Sequence, residues 1–210
     1  MNTQKIALFG TSDETSQRLI TEALKRGHMV TAIVPEERQL QMIHPNLKMV
    51  NGDARKKEDV IRYARGNDVV ICVYEPTKAK PREYVDITRT VIAGTKDADV
   101  QHLLFAAHPL GLPAESTEEF YNSFKSVVKA QKDSLNLVQN EKELYWGYVH
   151  SVEPEPGNKA GKYRISSEII FTHPEGESRI TIKNYPSAVI DEAEKGEMEL
   201  HEHGEEESEY

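Results

Sequence analysis

Apolar residues recur along this chain in two alternating rhythms: short unbroken runs, then stretches in which they return every three or four positions. The first run, Lys5-Ile6-Ala7-Leu8-Phe9, stops at Gly10. Leu19, Ile20, Ala23 and Leu24 follow at helical spacing, with charge between them and Gly27 after them. An unbroken apolar run reads as a strand buried on both faces, and the spaced set as an amphipathic helix closed by a glycine C-cap. The alternation continues. Met29 to Val34 reads as a second strand, Glu36 to Met42 as a short helix, His44-Pro45-Asn46 as a turn, and Leu47 to Val50 as a third strand ending at Asn51-Gly52-Asp53. Lys56 to Arg65 reads as a helix capped by Gly66-Asn67, Asp68 to Tyr74 as a fourth strand, Pro81 to Ala98 as a long helix and Gln101 to Ala107 as a fifth strand. His108 to Thr117 then reads as a loop, Glu118 to Gln139 as another long helix, Glu143 to Ser151 as a sixth strand and Glu153 to Gly161 as a second loop. Tyr163 to Ile165, Glu168 to Phe171 and Arg179 to Ile182 read as short strands around the turn Pro174-Glu175-Gly176, and Asn184 to Glu194 as the last helix.

Strand and helix alternating at short spacing predict an α/β fold: a doubly wound parallel sheet with a small C-terminal α+β extension. Such a fold binds ligands beyond the carboxyl ends of its strands. Those ends are residues 10–15, 35–38, 51–54, 73–76 and 107–110. Residues 1–196 read as one domain, with about 152–196 forming a small lobe on the substrate side. Residues 197–210 hold seven glutamates and no Lys or Arg, and read as an acidic, disordered tail.

The 210 residues carry a net charge of −9, which argues against nucleic acid or an anionic membrane as partner. One cysteine, Cys72, excludes an internal disulfide and fits a reducing compartment. No apolar run approaches the ~20 residues that span a bilayer. These features point to a soluble cytoplasmic protein with a small-molecule ligand, and a homodimer is compatible with them.

The first strand enters the first helix through a glycine turn, which is how a dinucleotide-binding fold begins. Such turns carry G-x-G-x-x-G or G-x-x-G-x-x-G so that backbone amides approach a pyrophosphate. Here the turn is Gly10-Thr11-Ser12-Asp13-Glu14-Thr15-Ser16, with only the first glycine. Thr11 and Glu14 form a capping-box pattern, in which the Glu14 carboxylate reaches back to the Thr11 amide, and both Asp13 and Glu14 suit the positive end of the helix dipole. Two readings stay open. In one, these acids occupy the phosphate position, where a carboxylate about 4–5 Å from a phosphate costs roughly 1–4 kcal/mol. In the other they face solvent and the Gly10, Thr11 and Ser12 amides hold a cofactor.

Three stretches resemble a known family: KIALFGTS with ALKRGHMVTAIV; NGDARKKEDVIRYARGNDVVICVYEP; and EKELYWGYVHSVEPEPGNKAGKYR followed by GESRITIKNYPSAVIDEAEKG. They are similar to the atypical short-chain dehydrogenase/reductases, in particular the small NADH–flavin-reductase-type proteins related to NmrA-like and epimerase proteins. The resemblance implies an NAD(P)-binding Rossmann fold, NAD or NADP as cofactor, and redox chemistry on a small planar acceptor of flavin or quinone type. It implies that Gly10, Thr11, Ser12 and Thr15 cradle the pyrophosphate, that Gly52, Asp53 and Ala54 lie near the adenine, and that Val73, Tyr74 and Glu75 line the ribose and nicotinamide side. Glu36 would favour a free ribose 2′-hydroxyl, whereas Arg38 would meet a 2′-phosphate. The chain departs from the family at Asp13 and Ser16, which replace glycines, at Pro35, at the bulkier Ala107-His108-Pro109, and at His150-Ser151-Val152.

Candidate chemistry is sparse. Tyr121 and Lys125 match the Tyr-x-x-x-Lys spacing that makes Tyr a general acid, although Tyr and Lys are common on helix surfaces. His108 and His150 each follow a strand at the expected rim, where they either exchange a proton near neutral pH or pack as loop residues. His201-Glu202-His203 makes a poor preformed metal site, Cys72 in an apolar strand reads as packing, and Trp146 and Tyr148 as the inner face of a strand. Two functions remain: an NAD(P)H-dependent reductase, or a degenerate Rossmann protein with weak dinucleotide binding that acts as a binding or regulatory module.

Overall fold

The computed structural model describes residues 3–10, 14–35, 42–74, 80–107, 115–151, 155–156, 162–164, 168–181 and 184–195. The first strand, β1 (Lys5–Phe9), has the alternation of a doubly covered strand: Ile6 and Leu8 point into one core cluster, Ala7 and Phe9 into the other. Helix α1 (Glu14–Lys25) buries Leu19, Ile20, Ala23 and Leu24 on the first of these faces, Leu19, Ile20 and Leu24 each contributing roughly 1.5–3 kcal/mol. Its end is a Schellman motif. The His28 amide donates to the Ala23 carbonyl at 3.1 Å and the Gly27 amide to Leu24 at 3.0 Å, with Gly27 at φ +86°.

The chain continues through β2 (Met29–Val34), β3 (Leu47–Asn51), α2 (Lys57–Ala64), β4 (Val69–Tyr74), α3 (Pro81–Asp97), β5 (His102–Ala107), β6 (Glu115–Thr117), α4 (Glu118–Gln139) and β7 (Tyr145–Ser151). It closes with β8 (Glu155–Pro156), β9 (Lys162–Arg164), β10 (Glu168–His173), β11 (Gly176–Thr181) and α5 (Tyr185–Ala193). Eight strands form one sheet in the order β11-β10-β7-β5-β4-β1-β2-β3. From β3 to β7 all pairings are parallel, and β10 and β11 add antiparallel strands beyond β7. The chain runs outward from β1 to β3, then restarts at β4 on the other side of β1, so the winding direction switches between β1 and β4. This is the doubly wound α/β sheet expected from the strand–helix alternation.

The two faces are covered by different helices. α1 and α5 lie on one side, where Tyr185, Val189 and Ile190 join Ile6, Leu8, Leu19 and Ile20. α2, α3 and α4 contribute to the other, where Val60, Tyr84, Ile87, Val91 and Val138 meet Ala7, Phe9, Val70 and Cys72. Trp146 and Tyr148 both point into this second cluster, as their alternation on β7 suggests. Cys72 is buried there, and burial pushes its thiol up to about 12, which leaves it an inert packing group.

α5 is tied back to α1 by a polar clamp. Arg26 donates to Glu22 at 2.9 Å, Asp191 at 2.6 Å and Glu194 at 3.1 Å. The His28 ring has no exposed surface. Its Nδ1 accepts from the Gln4 amide at 3.1 Å, so Nε2 carries the hydrogen and donates to Glu194 at 3.0 Å.

Two expected loops contain strands. Residues 115–117 lie within the loop expected over 108–117, and residues 155–156 within that expected over 153–161. They pair with β9 in a second, three-stranded antiparallel sheet of order β6-β9-β8. Strands of two or three residues carry too few positions for alternation to register. Of the helix expected at 36–42, residues 36–41 lie outside the described residues, and so does the acidic stretch 197–210.

Gly27 tests the helix ending in isolation, because a Cβ there meets nothing within 4 Å while φ lies in the left-handed region. Gly27→Ala is expected to lower the unfolding free energy by about 1–2 kcal/mol, through backbone strain alone, with an unchanged m-value in urea. An unaltered midpoint would show that the α1–β2 turn does not require the left-handed conformation.

Candidate functional site

The groove of interest lies above the switch between β1 and β4. Gly10 ends β1 at φ +85°, and a Cβ on it would stand 1.7 Å from the Val73 carbonyl oxygen. No side chain fits there, so the β1–α1 turn closes directly onto the end of β4. In the first turn of α1, Thr15 and Ser16 are buried. Ser16 occupies the position at which a third glycine would allow close helix–sheet approach, and its side chain is small enough to be enclosed completely.

Glu14, the first residue of α1, is engaged along its own helix. Its Oε1 accepts from Arg18 at 2.7 Å, one turn along the same helix, and the side chain is 78% exposed. This oxygen is held by the i,i+4 cation along the helix surface. Thr11, Ser12 and Asp13 lie outside the described residues.

The loop after β3 folds onto the same rim. The Gly52 amide donates to the Val34 carbonyl at 3.0 Å, and a Cβ on Gly52 would meet the Tyr63 ring at 2.7 Å and Ile33 at 2.8 Å. Ala54 packs against the second core cluster. Asp53 makes an Asx-type turn, its Oδ1 accepting from the Arg55 amide at 2.9 Å, while the Arg55 guanidinium reaches back to both carboxylate oxygens at 2.8–2.9 Å. Arg55 then donates to Glu83 Oε1 at 3.3 Å, and Glu83 Oε2 accepts from the Tyr74 hydroxyl at 3.2 Å. Asp53 and Tyr74, expected on separate loops, are thus joined through Arg55 and Glu83. The hydrogen bonds from Arg55 hold the Asp53 carboxyl below its usual range. Burial, reinforced by the Glu83 charge, pushes the Tyr74 phenol up to about 12.

Neither Arg55 nor Glu83 stands out in the sequence as a site residue. The Asp-x-Arg spacing is the one local signal, since an Asx turn places residue 55 over the carboxylate of residue 53. Glu83 depends on α3 starting beside β4.

Of the remaining expected residues, Val73 is buried at the end of β4. Lys125 is exposed on α4, one turn beyond Tyr121 on the same helix; the Tyr121 side chain lies outside the description. His150, half-buried at the end of β7, has Nε2 3.1 Å from Thr172 Oγ1. Glu36, Arg38, Glu75 and His108 lie outside the described residues, as does His201-Glu202-His203. Among the described residues no group of three or more His, Cys, Asp or Glu is placed to hold a metal ion, and no helix is long and apolar enough to cross a membrane.

The described part of the groove fits a dinucleotide. It has a left-handed glycine abutting β4, a helix start whose first-turn acid is paired along its own surface, and small residues where helix and sheet meet.

A family model for NAD(P)H-binding proteins matches residues 10–184. YwnB of Bacillus subtilis, an uncharacterised protein, is 24% identical over 205 residues, covering 92% of this chain and 93% of its own. Among solved structures, a "putative epimerase" of Bacteroides thetaiotaomicron is 27% identical with TM-score 0.64, covering 92% of each chain. A "putative NADH-flavin reductase" of Streptococcus pneumoniae is 23% identical with TM-score 0.57, covering 92% of this chain and 94% of its own.

The Arg55 link predicts an acid-side effect. A carboxyl whose folded-state pKa is lowered contributes stability above its unfolded-state value, and that contribution is lost as pH falls through the folded value. Arg55→Met should move the Asp53 titration upward, followed by NMR of its carboxyl carbon, and make urea stability fall at a higher pH on acidification. An unmoved titration would show that Arg55 does not set it.

Proposed function

We propose that this chain, which belongs to the NAD(P)H-binding family, is an NAD(P)H-dependent reductase of a small planar acceptor, of flavin or quinone class. The observation that carries the reading is the closure of Gly10 onto Val73 at the winding switch, which leaves the start of α1 facing the strand ends where a dinucleotide's pyrophosphate binds.

In this reading the amides of Gly10, Thr11 and Ser12, with Thr15, hold the pyrophosphate. Gly52, Asp53 and Ala54 border the adenine. Val73, Tyr74 and Glu75 border the ribose and the nicotinamide side, and the choice between NAD and NADP falls to Glu36 and Arg38. Asp53 and Tyr74 do not act singly, because Arg55 and Glu83 hold them in one network. The bound cofactor supplies two electrons as hydride. The chain supplies orientation of the acceptor over the ends of β5 and β7, exclusion of water, and a proton. The likeness to the Streptococcus pneumoniae protein named for NADH–flavin reduction supports the acceptor class, and the fold accommodates it. A homodimer and a cytoplasmic setting belong to the same reading.

The competing reading, a regulatory module that has lost cofactor affinity, draws on the two missing glycines of the first turn. The enclosure of Ser16 and the Glu14–Arg18 pair both weaken it.

Fluorescence or calorimetric titration with NADH and NADPH decides between them. Micromolar binding of one cofactor, with turnover against FMN or menadione, is expected. Gly10→Ala is expected to abolish binding through collision with the Val73 carbonyl. No binding at millimolar cofactor would remove the reductase reading.

A further inference from the structure

The starts of β5 and β7 lie at the opposite end of the sheet from the rim, and the last turn of α5 closes over them. We infer that this turn is an acid-opened latch, in which a proton taken by the buried His102 ring releases the end of α5 from the sheet. The inference stands apart from the reductase reading above.

His102 opens β5 and pairs with Tyr145, which opens β7. Leu104, two residues on, points into the cluster covered by α1 and α5, so His102 and Tyr145 stand on that face of the sheet. The His102 residue is 4% exposed, and its ring rests against that of Tyr145 with centroids 5.1 Å apart and planes at 76°. Its Nε2 is enclosed and meets no hydrogen-bond partner among the described residues. α5 supplies the cover. Glu192, buried near its end, accepts from the Tyr145 hydroxyl at 2.6 Å and from the Lys195 ammonium at 2.7 Å. The same ammonium lies 3.5 Å from the Tyr145 oxygen. Glu194, in the same turn, accepts from Arg26 and from His28, so the turn grips α1 as well as the sheet.

The surroundings of His102 oppose a positive charge. From α5 it meets the Lys195 ammonium and Glu192, whose two oxygens are committed to Tyr145 and Lys195. From β7 it meets the Tyr145 ring and hydroxyl. On β4 its partner is the apolar Val69, and Asp68 before it accepts from the Lys5 amide at 2.6 Å. Asp191 and Glu194 turn to Arg26, while Glu141 and Glu143 turn to Lys96 on α3. Burial, reinforced by the Lys195 charge, pushes the imidazole down to about 4. His28, the other buried histidine at this end, has both ring nitrogens engaged, by the Gln4 amide and Glu194.

A proton on His102 therefore places a charge in an enclosed space beside an ammonium. Lifting the last turn of α5 admits water to the ring and withdraws Lys195. It also takes Glu194 from Arg26 and His28, which loosens the grip on α1. Proton linkage sets the direction. The closed turn binds fewer protons at His102 than the open one, in which the ring returns to its ordinary value of 6.5. Closure is at full strength above that value and weakens as pH falls from 6.5 toward 4. Free carboxylates titrate at about 4, so the interval from pH 7 to pH 5 reads the imidazole.

The Glu194 amide, which donates to the Ile190 carbonyl at 3.0 Å, reports the opening by native-state hydrogen exchange. Corrected for intrinsic exchange, its opening constant should rise about twentyfold from pH 7 to pH 5. In His102→Phe, and equally in His102→Gln, the rise should shrink below about threefold. A wild-type opening constant that stays level over this interval would overturn the latch. So would a rise that persists in both variants, or an opening constant that equals global unfolding measured in urea at both pH values. Should neither variant fold, an NMR titration of the wild-type His102 ring decides, a midpoint below about 5.5 upholding the latch and a higher one overturning it.

Discussion

The contact between the α-carbon of Gly10 and the carbonyl of Val73 is the constraint on which the rest of the structure depends. With no side chain at residue 10, β1 turns into α1 directly against the end of β4. Any Cβ would push these two strand ends apart at the point where the winding direction reverses. Because they touch, the carboxyl ends of β2, β1, β4, β5 and β7 form a continuous rim, and the start of α1 faces across it. Ser16 is small enough to be enclosed where helix and sheet meet, and Glu14 engages Arg18 on the outer surface of its own helix.

Two polar chains cross between elements at the strand ends. Asp53, Arg55, Glu83 and Tyr74 tie the loop after β3 to α3 and the end of β4. His150, Thr172 and Glu177 tie the end of β7 to the terminal hairpin. The hairpin thus extends the sheet and also supplies partners to a rim residue. A third network, around Arg26 and His28, lies on the far side of α1 and holds α5 over the core there, away from the rim.

Much of the fold was legible along the chain because the sheet is buried on both faces. A strand such as Val69–Tyr74 can bury both faces only as an unbroken apolar run, and an amphipathic helix such as α1 only as a spaced set. Both patterns span enough residues to register. β6 and β8 did not register, since two or three residues offer no period and exist as strands only through pairing with β9. In the candidate site, Gly10 and Asp53 were legible because a left-handed turn and an Asx turn demand particular residues locally, whereas Gly52 is required by the Tyr63 ring and Ile33 packed against it. The Glu14–Arg18 pair was not singled out, because i,i+4 pairs of opposite charge are common on helix surfaces.

The amino-acid sequence by itself determined the order of strands and helices, the glycine on which the first turn closes, and the rim positions of Asp53, Tyr74 and His150, since each follows from the local conformational or burial preference of a short segment. Tertiary structure alone decided what those side chains meet. Glu83 reaches Arg55 only because α3 begins beside β4, and Thr172 meets His150 only in the register that sets it opposite Tyr148. A slip of one residue in that ladder would turn Thr172 to the opposite face of the sheet. The physical reason is that the partner of a polar side chain is fixed by where distant backbone segments lie against one another, and no local preference encodes that distance.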